Sequence, residues 1–390
     1  MTSIRMRGIE KVLSYKDLRV GETLPYPIYS LNGSLLLSKE TVLASAHQIE
    51  RILSNYGRCY ISRPQSFENK KARKRNRPVT TFMIVQSLLD RMKEAFHLIH
   101  DDKDTSFARR IQQLVIDIQA VCDKNSEGII GTIQLMYDAP HGLVHPLHAA
   151  ILCEVVCRKM GKKPQDRSPI VAAALTHDIG MFEIQQELFE QSTPITPTQQ
   201  HMIKAHPQRG YDQLRRKGIT EVRWLDPVLH HHERLDGSGY PDGIKGDQLT
   251  HNARLLSIAD CYSAMTRPRA YRSRVLPKEA IREIFQERGK TIGDELARLF
   301  INALGIYSPG SLVKLENGVK AIVTGQTRNL SEPKLTLLTD KSGAPFSPSK
   351  RIRSEHSDDK IVGLLCPVKH RQLIENLSTI WPMMNPISDI

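Results

Sequence analysis

Among the histidines and aspartates between His141 and Asp260, ten stand out as metal-seeking: His141, His145, His148, His177, Asp178, His206, His230, His231, His232 and Asp260. They constrain the fold more than any other feature, because several sit in apolar runs where an unpartnered charge or polar group is costly to bury. Asp260 follows Leu255-Leu256-Ser257-Ile258-Ala259, and His177-Asp178 close the small-residue run Val171-Ala172-Ala173-Ala174-Leu175. A cation removes that penalty, so the pattern asks for a helical domain whose helix ends converge on metal ions. Imidazole and carboxylate donors suit iron, manganese, zinc or nickel, and the scarcity of cysteine among them disfavours a closed thiolate site. Any one of these histidines reads as a packed or surface residue; as a group they point to an open, hydrolytic centre.

The remaining composition narrows the class. The 6 cysteines are scattered and form no CxxC pair, which favours neither a disulfide framework nor a zinc ribbon and fits a reducing cytoplasm. Met1-Thr2-Ser3-Ile4-Arg5 lacks the apolar core of a signal peptide, and no run of about 18 apolar residues occurs, so no membrane span is expected. Lysine and arginine number 55 against 42 acids, a net +13 that attracts anions. Six of those positive charges lie in the tract Lys70-Lys71-Ala72-Arg73-Lys74-Arg75-Asn76-Arg77. No aromatic residue interleaves there to stack on bases, so the tract reads as a solvated linker and gives no strong nucleic-acid signal.

The 390 residues are enough for two or three domains. Residues 1–64 read as a small α+β domain, with Asn32-Gly33 turning Tyr29-Ser30-Leu31 back onto Leu35-Leu36-Leu37, a short helix from Ser45, and a last strand near Tyr60-Ile61. Residues 65–129 form a basic linker and helical connector, whose stripes Phe82, Val85, Leu89, Met92, Phe96, Ile99 and Phe107, Ile111, Leu114, Ile118, Val121 recur at spacings of three and four. That hairpin is core or a homodimer contact. Residues 130–305 are helical and carry the metal-seeking side chains, punctuated by Pro164, Pro194, Pro197, Pro207 and Pro277. Residues 306–390 form a β-rich appendage, with alternation from Tyr307 to Leu315, a turn at Asn317-Gly318 back into Ala321–Val323, another strand at Lys334–Leu338, and then a tail that shows no pattern. The fold class is thus mainly α, flanked by a small α+β domain and a β-rich appendage.

The run His177-Asp178-Ile179-Gly180, followed by His231-His232-Glu233-Arg234-Leu235-Asp236-Gly237-Ser238-Gly239-Tyr240-Pro241, resembles the HD-GYP family of cyclic-di-GMP phosphodiesterases. His145 ahead of an alanine-rich helix, His206-Pro207 with Gly210, Arg254 through Asp260, and Arg267 through Arg272 match in order. The resemblance implies an all-helical HD-type domain that hydrolyses cyclic-di-GMP to pGpG, GMP or both. It implies that His145, His177, Asp178, His206, His231, His232 and Asp260 hold two divalent metal ions, iron or manganese, with Asp178 bridging and His177 and Asp178 central to catalysis. A third ion would need His141, which stands where some members have glutamate. Tyr240, Arg269 and Arg272 would bind the substrate, their donors and charge suiting a diester anion. The Gly239-Tyr240-Pro241 loop would also offer a contact to diguanylate cyclases of the GGDEF type.

Two departures bear on turnover. Met181 replaces the lysine usual after His-Asp-Ile-Gly, and losing one preorganised donor typically raises a barrier by roughly 3 to 4 kcal/mol. Ser263 stands where an aspartate is common and brings no negative charge. The alternative reading is therefore a degenerate domain that binds cyclic-di-GMP or a GGDEF partner without efficient turnover.

Overall fold

The computed structural model describes residues 10–11, 18–24, 27–29, 35–43, 59–60, 80–136, 139–267, 275–346, 353–354, 360–374 and 380–381. The chain divides into two compact units, Met1–Arg77 and Pro78–Ile390. In the first, strands β1 (Glu10–Lys11), β2 (Ile28–Tyr29), β3 (Leu35–Leu37) and β4 (Cys59–Tyr60) form an antiparallel sheet in the order β1-β4-β2-β3. Ile28 faces Leu37 and Tyr29 faces Leu35, the pairing expected of a hairpin about Asn32-Gly33. That turn, the basic tract and the helix expected from Ser45 lie outside the described residues.

The second unit opens with α1 (Thr81–His97) and α2 (Phe107–Leu135), the two amphipathic helices read from the stripes. Thr80 caps α1 by accepting from the Met83 amide at 3.3 Å. α2 runs well past its stripe and kinks at Asn125, whose backbone leaves the helical region at φ −158° and whose Oδ1 accepts from the Gly128 amide. Then follow α3 (His141–Lys159), α4 (Pro164–Thr176), a 3-10 turn (Ile179–Met181), α5 (Phe182–Glu190), α6 (Pro197–Arg216) and α7 (Val222–His230). The bundle is completed by α8 (His251–Thr266), α9 (Pro277–Glu287) and α10 (Asp294–Leu304). Prolines 164, 197 and 277 each occupy a first helical position, where the missing N–H has no partner to lose.

α3 is buried all round from His141 to Cys157, the mark of a central helix rather than an amphipathic one. It packs against α1, α2, α4, α5, α8 and α10. No helix among the described residues is long and apolar enough to cross a membrane.

Beyond α10, β5 (Leu312–Leu315), β6 (Lys320–Gly325), β7 (Lys334–Leu337), β8 (Arg353–Ser354) and β9 (Ile361–Leu365) form an antiparallel sheet ordered β8-β7-β6-β5-β9. The Asn317-Gly318 turn joins β5 to β6, with Gly318 at φ +88°. β9 lies in the part of the chain where the sequence showed no pattern; it returns to pair with β5, Leu312 opposite Leu365. The sheet grips α2. The Gln326 amide donates to Glu127 Oε1 at 2.6 Å, and the Trp381 indole lies where a side chain at Gly131 would otherwise project.

Candidate metal centre

The helix ends meet as the apolar runs suggested. α4 stops at Thr176, so His177 caps it and Asp178 leads into the 3-10 turn. A Cβ at Gly180 would overlap the His206 carbonyl and the Gly210 amide, so only glycine lets this turn press against α6. That approach sets Asp178 Oδ1 3.3 Å from His206 Nε2. Gly239 acts the same way in the loop after α7, where a Cβ would overlap the backbone of His232, Glu233 and Arg234. Glu233, buried beneath this loop, accepts from the Asp242 and Gly243 amides at 2.7 and 2.9 Å. Its role is to fold the loop rather than to face the centre.

Three of the central imidazoles are held in one tautomer by a local backbone carbonyl. His177 Nδ1–H donates to Ala174 O at 2.8 Å and His231 Nδ1–H to Val228 O at 2.8 Å, both acceptors being carbonyls that a helix end leaves without an intrahelical donor. In α6 the same acceptor is made mid-helix. Pro207 has no N–H for the carbonyl four residues earlier, and His206 Nδ1–H takes it, Ile203 O at 2.5 Å. His145 reaches its tautomer through a side chain: Ser263 Oγ–H donates to His145 O at 3.2 Å, so Oγ accepts from Nδ1–H at 2.9 Å. In all four rings Nε2 is left as a lone pair aimed inward.

Those lone pairs crowd one another. His206 Nε2 and His231 Nε2 lie 3.1 Å apart, each already committed as an acceptor. Asp178 stands between the two halves of the group, Oδ1 facing His206 and Oδ2 3.5 Å from His145 Nε2. Asp260 Oδ1 is 2.9 Å from His145 Nε2 and 3.8 Å from His177 Nε2, and its Oδ2 is 3.8 Å from His232 Nδ1. Mutually close donor sets are His206, His231, His232; His145, His177, Asp260; and His177, Asp178, His231. Facing lone pairs beside two buried carboxylates fit divalent cations and little else.

The electrostatics agree. Burial pushes Asp178 and Asp260 toward protonation, but His177 beside the first and His145 beside the second outweigh it and hold both well below the usual carboxylate range. Burial likewise opposes a charge on His177, yet Asp178 and Asp260 raise it to about 9. His231, deeply buried with His232 and His177 as neighbours, is driven well below 6.5. The carboxylates are strong enough to hold a proton on a buried imidazole where a cation would otherwise sit.

A cavity of about 220 Å³ opens onto the centre beside His145, Asp178, His232 and Asp260. Tyr240 lines it, stacked on His232 with ring centroids 4.7 Å apart, and burial together with Asp260 keeps its phenol protonated beyond the ordinary tyrosine range. Met181 also lines it, a thioether where a lysine would supply a charge. His141 lies apart from the three donor sets, its ring sandwiched between His145 at 5.1 Å and Phe189 at 4.4 Å. His148 turns the other way against Tyr262, and His230 binds Asp226 and Asp242 at 2.8 and 3.2 Å, so neither joins the group. Arg269 and Arg272 lie outside the described residues. The residue missed from sequence is Gln185, whose amide donates to Asp178 Oδ2 at 2.6 Å. Asp178 heads the 3-10 turn and Gln185 lies on α5, separate elements, so no helical spacing in the sequence links them.

Residues 127–296 match the family model described as HD domain. The chain is 29% identical over 233 residues to the cyclic di-GMP phosphodiesterase PA4108 of Pseudomonas aeruginosa, covering 60% of this chain and 55% of that protein. It is 29% identical over 130 residues to the 3'3'-cGAMP-specific phosphodiesterase 1 of Vibrio cholerae, covering 33% of this chain and 30% of that protein. The matched stretches thus span about half or less of these relatives' own lengths. Among solved structures, Bd1817, an HDG"Y"P protein from Bdellovibrio bacteriovorus, superposes with a TM-score of 0.51 at 15% identity, covering 76% of this chain and 99% of that one. That likeness is one of fold.

Proposed function

We propose that the chain acts as a member of the HD-GYP family of HD-domain proteins and hydrolyses cyclic-di-GMP, giving pGpG, GMP or both. The observation that carries this reading is the pair of opposed Nε2 atoms of His206 and His231, with Asp178 reaching from them to His145 at the mouth of a cavity. His145, His177, Asp178, His206, His231, His232 and Asp260 would hold two cations, iron or manganese by the nitrogen and oxygen donors. The two Asp178 oxygens, facing opposite halves of the group, support its role as the bridge. When bound, such ions lower the pKa of water and neutralise charge growing on phosphoryl oxygens.

The chain's own residues do the rest. Gln185 fixes the Asp178 carboxylate, and Ser263 fixes the His145 ring, which keeps the donors in place without reorganisation. Tyr240, protonated at neutral pH, donates a hydrogen bond to a ligand oxygen from its perch on His232. Arg269 and Arg272 would balance the charge of the diester. Met181 contributes no donor, so turnover falls below that of a site with lysine there.

The test is metal counting on protein purified without oxygen, then incubation with cyclic-di-GMP and chromatography of products. Two metals with turnover are expected; tight binding without product would replace hydrolysis by a binding role. Met181→Lys should raise kcat by about tenfold or more, and an unchanged kcat would mean another group already supplies that charge.

A further inference from the structure

A second cavity, of about 320 Å³, adjoins the centre from the other side and shares His232 and Ala264 with the first. Nothing in the metal chemistry above uses it. Its walls come from α8, from α9, from the turn after α9 and from the chain at His231, His232 and Arg234, and its polar lining includes Ser257, Glu283, Glu287 and Thr291. Glu283 and Glu287 are four residues apart on α9, hence on one face of it. The Glu287 carboxylate is held in place, its Oε2 accepting from the Thr291 hydroxyl at 2.9 Å. Thr291 is itself anchored by its carbonyl to the Leu235 amide at 3.2 Å, which ties this rim to the chain running on from His232. Ile284 and Ile292 complete an apolar wall.

The two cavities differ in chemistry. The first offers rings and aliphatic surface, with Phe189, His141, Tyr240, Leu188 and Ile195 around the opening. Such surface stacks on any base, since every base has a π-face. The second offers two carboxylate acceptors, that of Glu287 bonded to the Thr291 hydroxyl. A guanine presents two adjacent donors, N1–H and the 2-amino group, to a carboxylate; an adenine presents the 6-amino group beside an acceptor nitrogen that a carboxylate repels.

We infer that the second cavity is a guanine-reading subsite built on Glu283 and Glu287, while the first accepts either purine. The inference rests on the proposed action on a cyclic dinucleotide, whose two bases flank the phosphates and would fall one on each side of His232. One guanine is then sufficient. A dinucleotide with one guanine and one adenine binds in a single orientation and performs within a few-fold of the two-guanine compound, whereas the two-adenine compound is weaker by about 10- to 100-fold, the worth of hydrogen bonds to a charged acceptor.

The experiment compares three 3',5'-linked cyclic dinucleotides, carrying two guanines, one of each, or two adenines, on the manganese-loaded full chain, by kcat/KM and by calorimetric binding. Glu283→Gln/Glu287→Gln is isosteric and should shrink the guanine-to-adenine ratio toward one, because a side-chain amide also pairs with adenine. Turnover with equal use of the two-guanine and two-adenine compounds would overturn the subsite and leave hydrolysis standing. Binding with guanine preference but no turnover would uphold the subsite and remove hydrolysis. Rejection of the mixed compound would overturn the one-guanine rule, as would binding of none of the three.

Discussion

The antiparallel pair α3 and α4 buries charge at both of its ends, and the two ends are resolved in opposite ways. At one, Glu154 on α3 meets Arg167 on α4 at 2.9 Å, with Gln119 reaching in from α2 at 3.4 Å. Burial raises the Glu154 pKa and Arg167 pulls it back, so acid and base answer each other within the protein. At the other, His145 and His177 meet two carboxylates and more imidazoles, and no lysine or arginine takes part in the ion pairs of Asp178 and Asp260 among the described residues. The first end is complete as folded, whereas the second is a set of donors shaped for positive charge from outside. Burial alone therefore does not mark a site. What marks it is burial of acceptors with no lysine or arginine to match among the described residues.

The sharpest way to break this contrast is Asp178→Ala. It removes the group that faces both halves of the centre, and bound metal should fall from about two ions per chain to below one, with hydrolysis lost. Elemental analysis and product chromatography read both, and retained metal would refute the bridge. At the opposite end, Glu154→Leu removes the 2.9 Å partner of the buried Arg167, leaving it Asp123 at 3.9 Å and the Lys162 carbonyl, and should cost about 3–5 kcal/mol of stability. Urea unfolding measures it, and metal content should hold; a parallel loss of metal would show the two ends to be coupled.

Ser263→Ala is a milder probe. It frees the His145 ring and should weaken metal binding by about 10- to 100-fold, read by competition with a chelating dye. The smallest effect expected is one of pH on chelator-treated protein. His177 has a folded pKa of about 9, above the roughly 6.5 of a free imidazole. Its protonation stabilises the metal-free fold in full below about pH 6.5, and that contribution disappears as pH rises through 9. Asp178 and Asp260 are already ionised across this window and add no slope. The Tm of chelated protein should fall from pH 6.5 to 9 by more than that of loaded protein, in which a cation replaces the proton; equal slopes would rule out His177 as the titrating group.

Much of this centre was legible before any coordinates. The residues alone singled out ten candidates whose chemistry conflicts with the apolar runs around them, and the resemblance to the HD-GYP family picked out His145, His177, Asp178, His206, His231, His232 and Asp260 among them. The same test fails for His148 and His230, whose neighbours in the chain look alike but whose partners, Tyr262 for one and Asp226 with Asp242 for the other, are supplied by the fold. Gln185 gave no warning, since a glutamine on a short helix is an ordinary surface residue until the helix is placed. Ser263 read as a deficit because it lacks charge, whereas its hydroxyl relays direction from a carbonyl to a ring. β9 escaped notice because Gly363 interrupts its apolar run Ile361-Val362-Gly363-Leu364-Leu365, leaving no clean alternation. Strand pairing with β5, a non-local contact, rescues it.

Pro207 shows how poor helix-forming character can serve chelation. A residue with an amide hydrogen there would knit α6 more tightly and reclaim the Ile203 oxygen, and His206 would be left to spin about its side-chain bonds. The straighter rod would be the looser claw, and the affinity proposed for ions at this centre would then be eroded by the entropy of one unpinned ring.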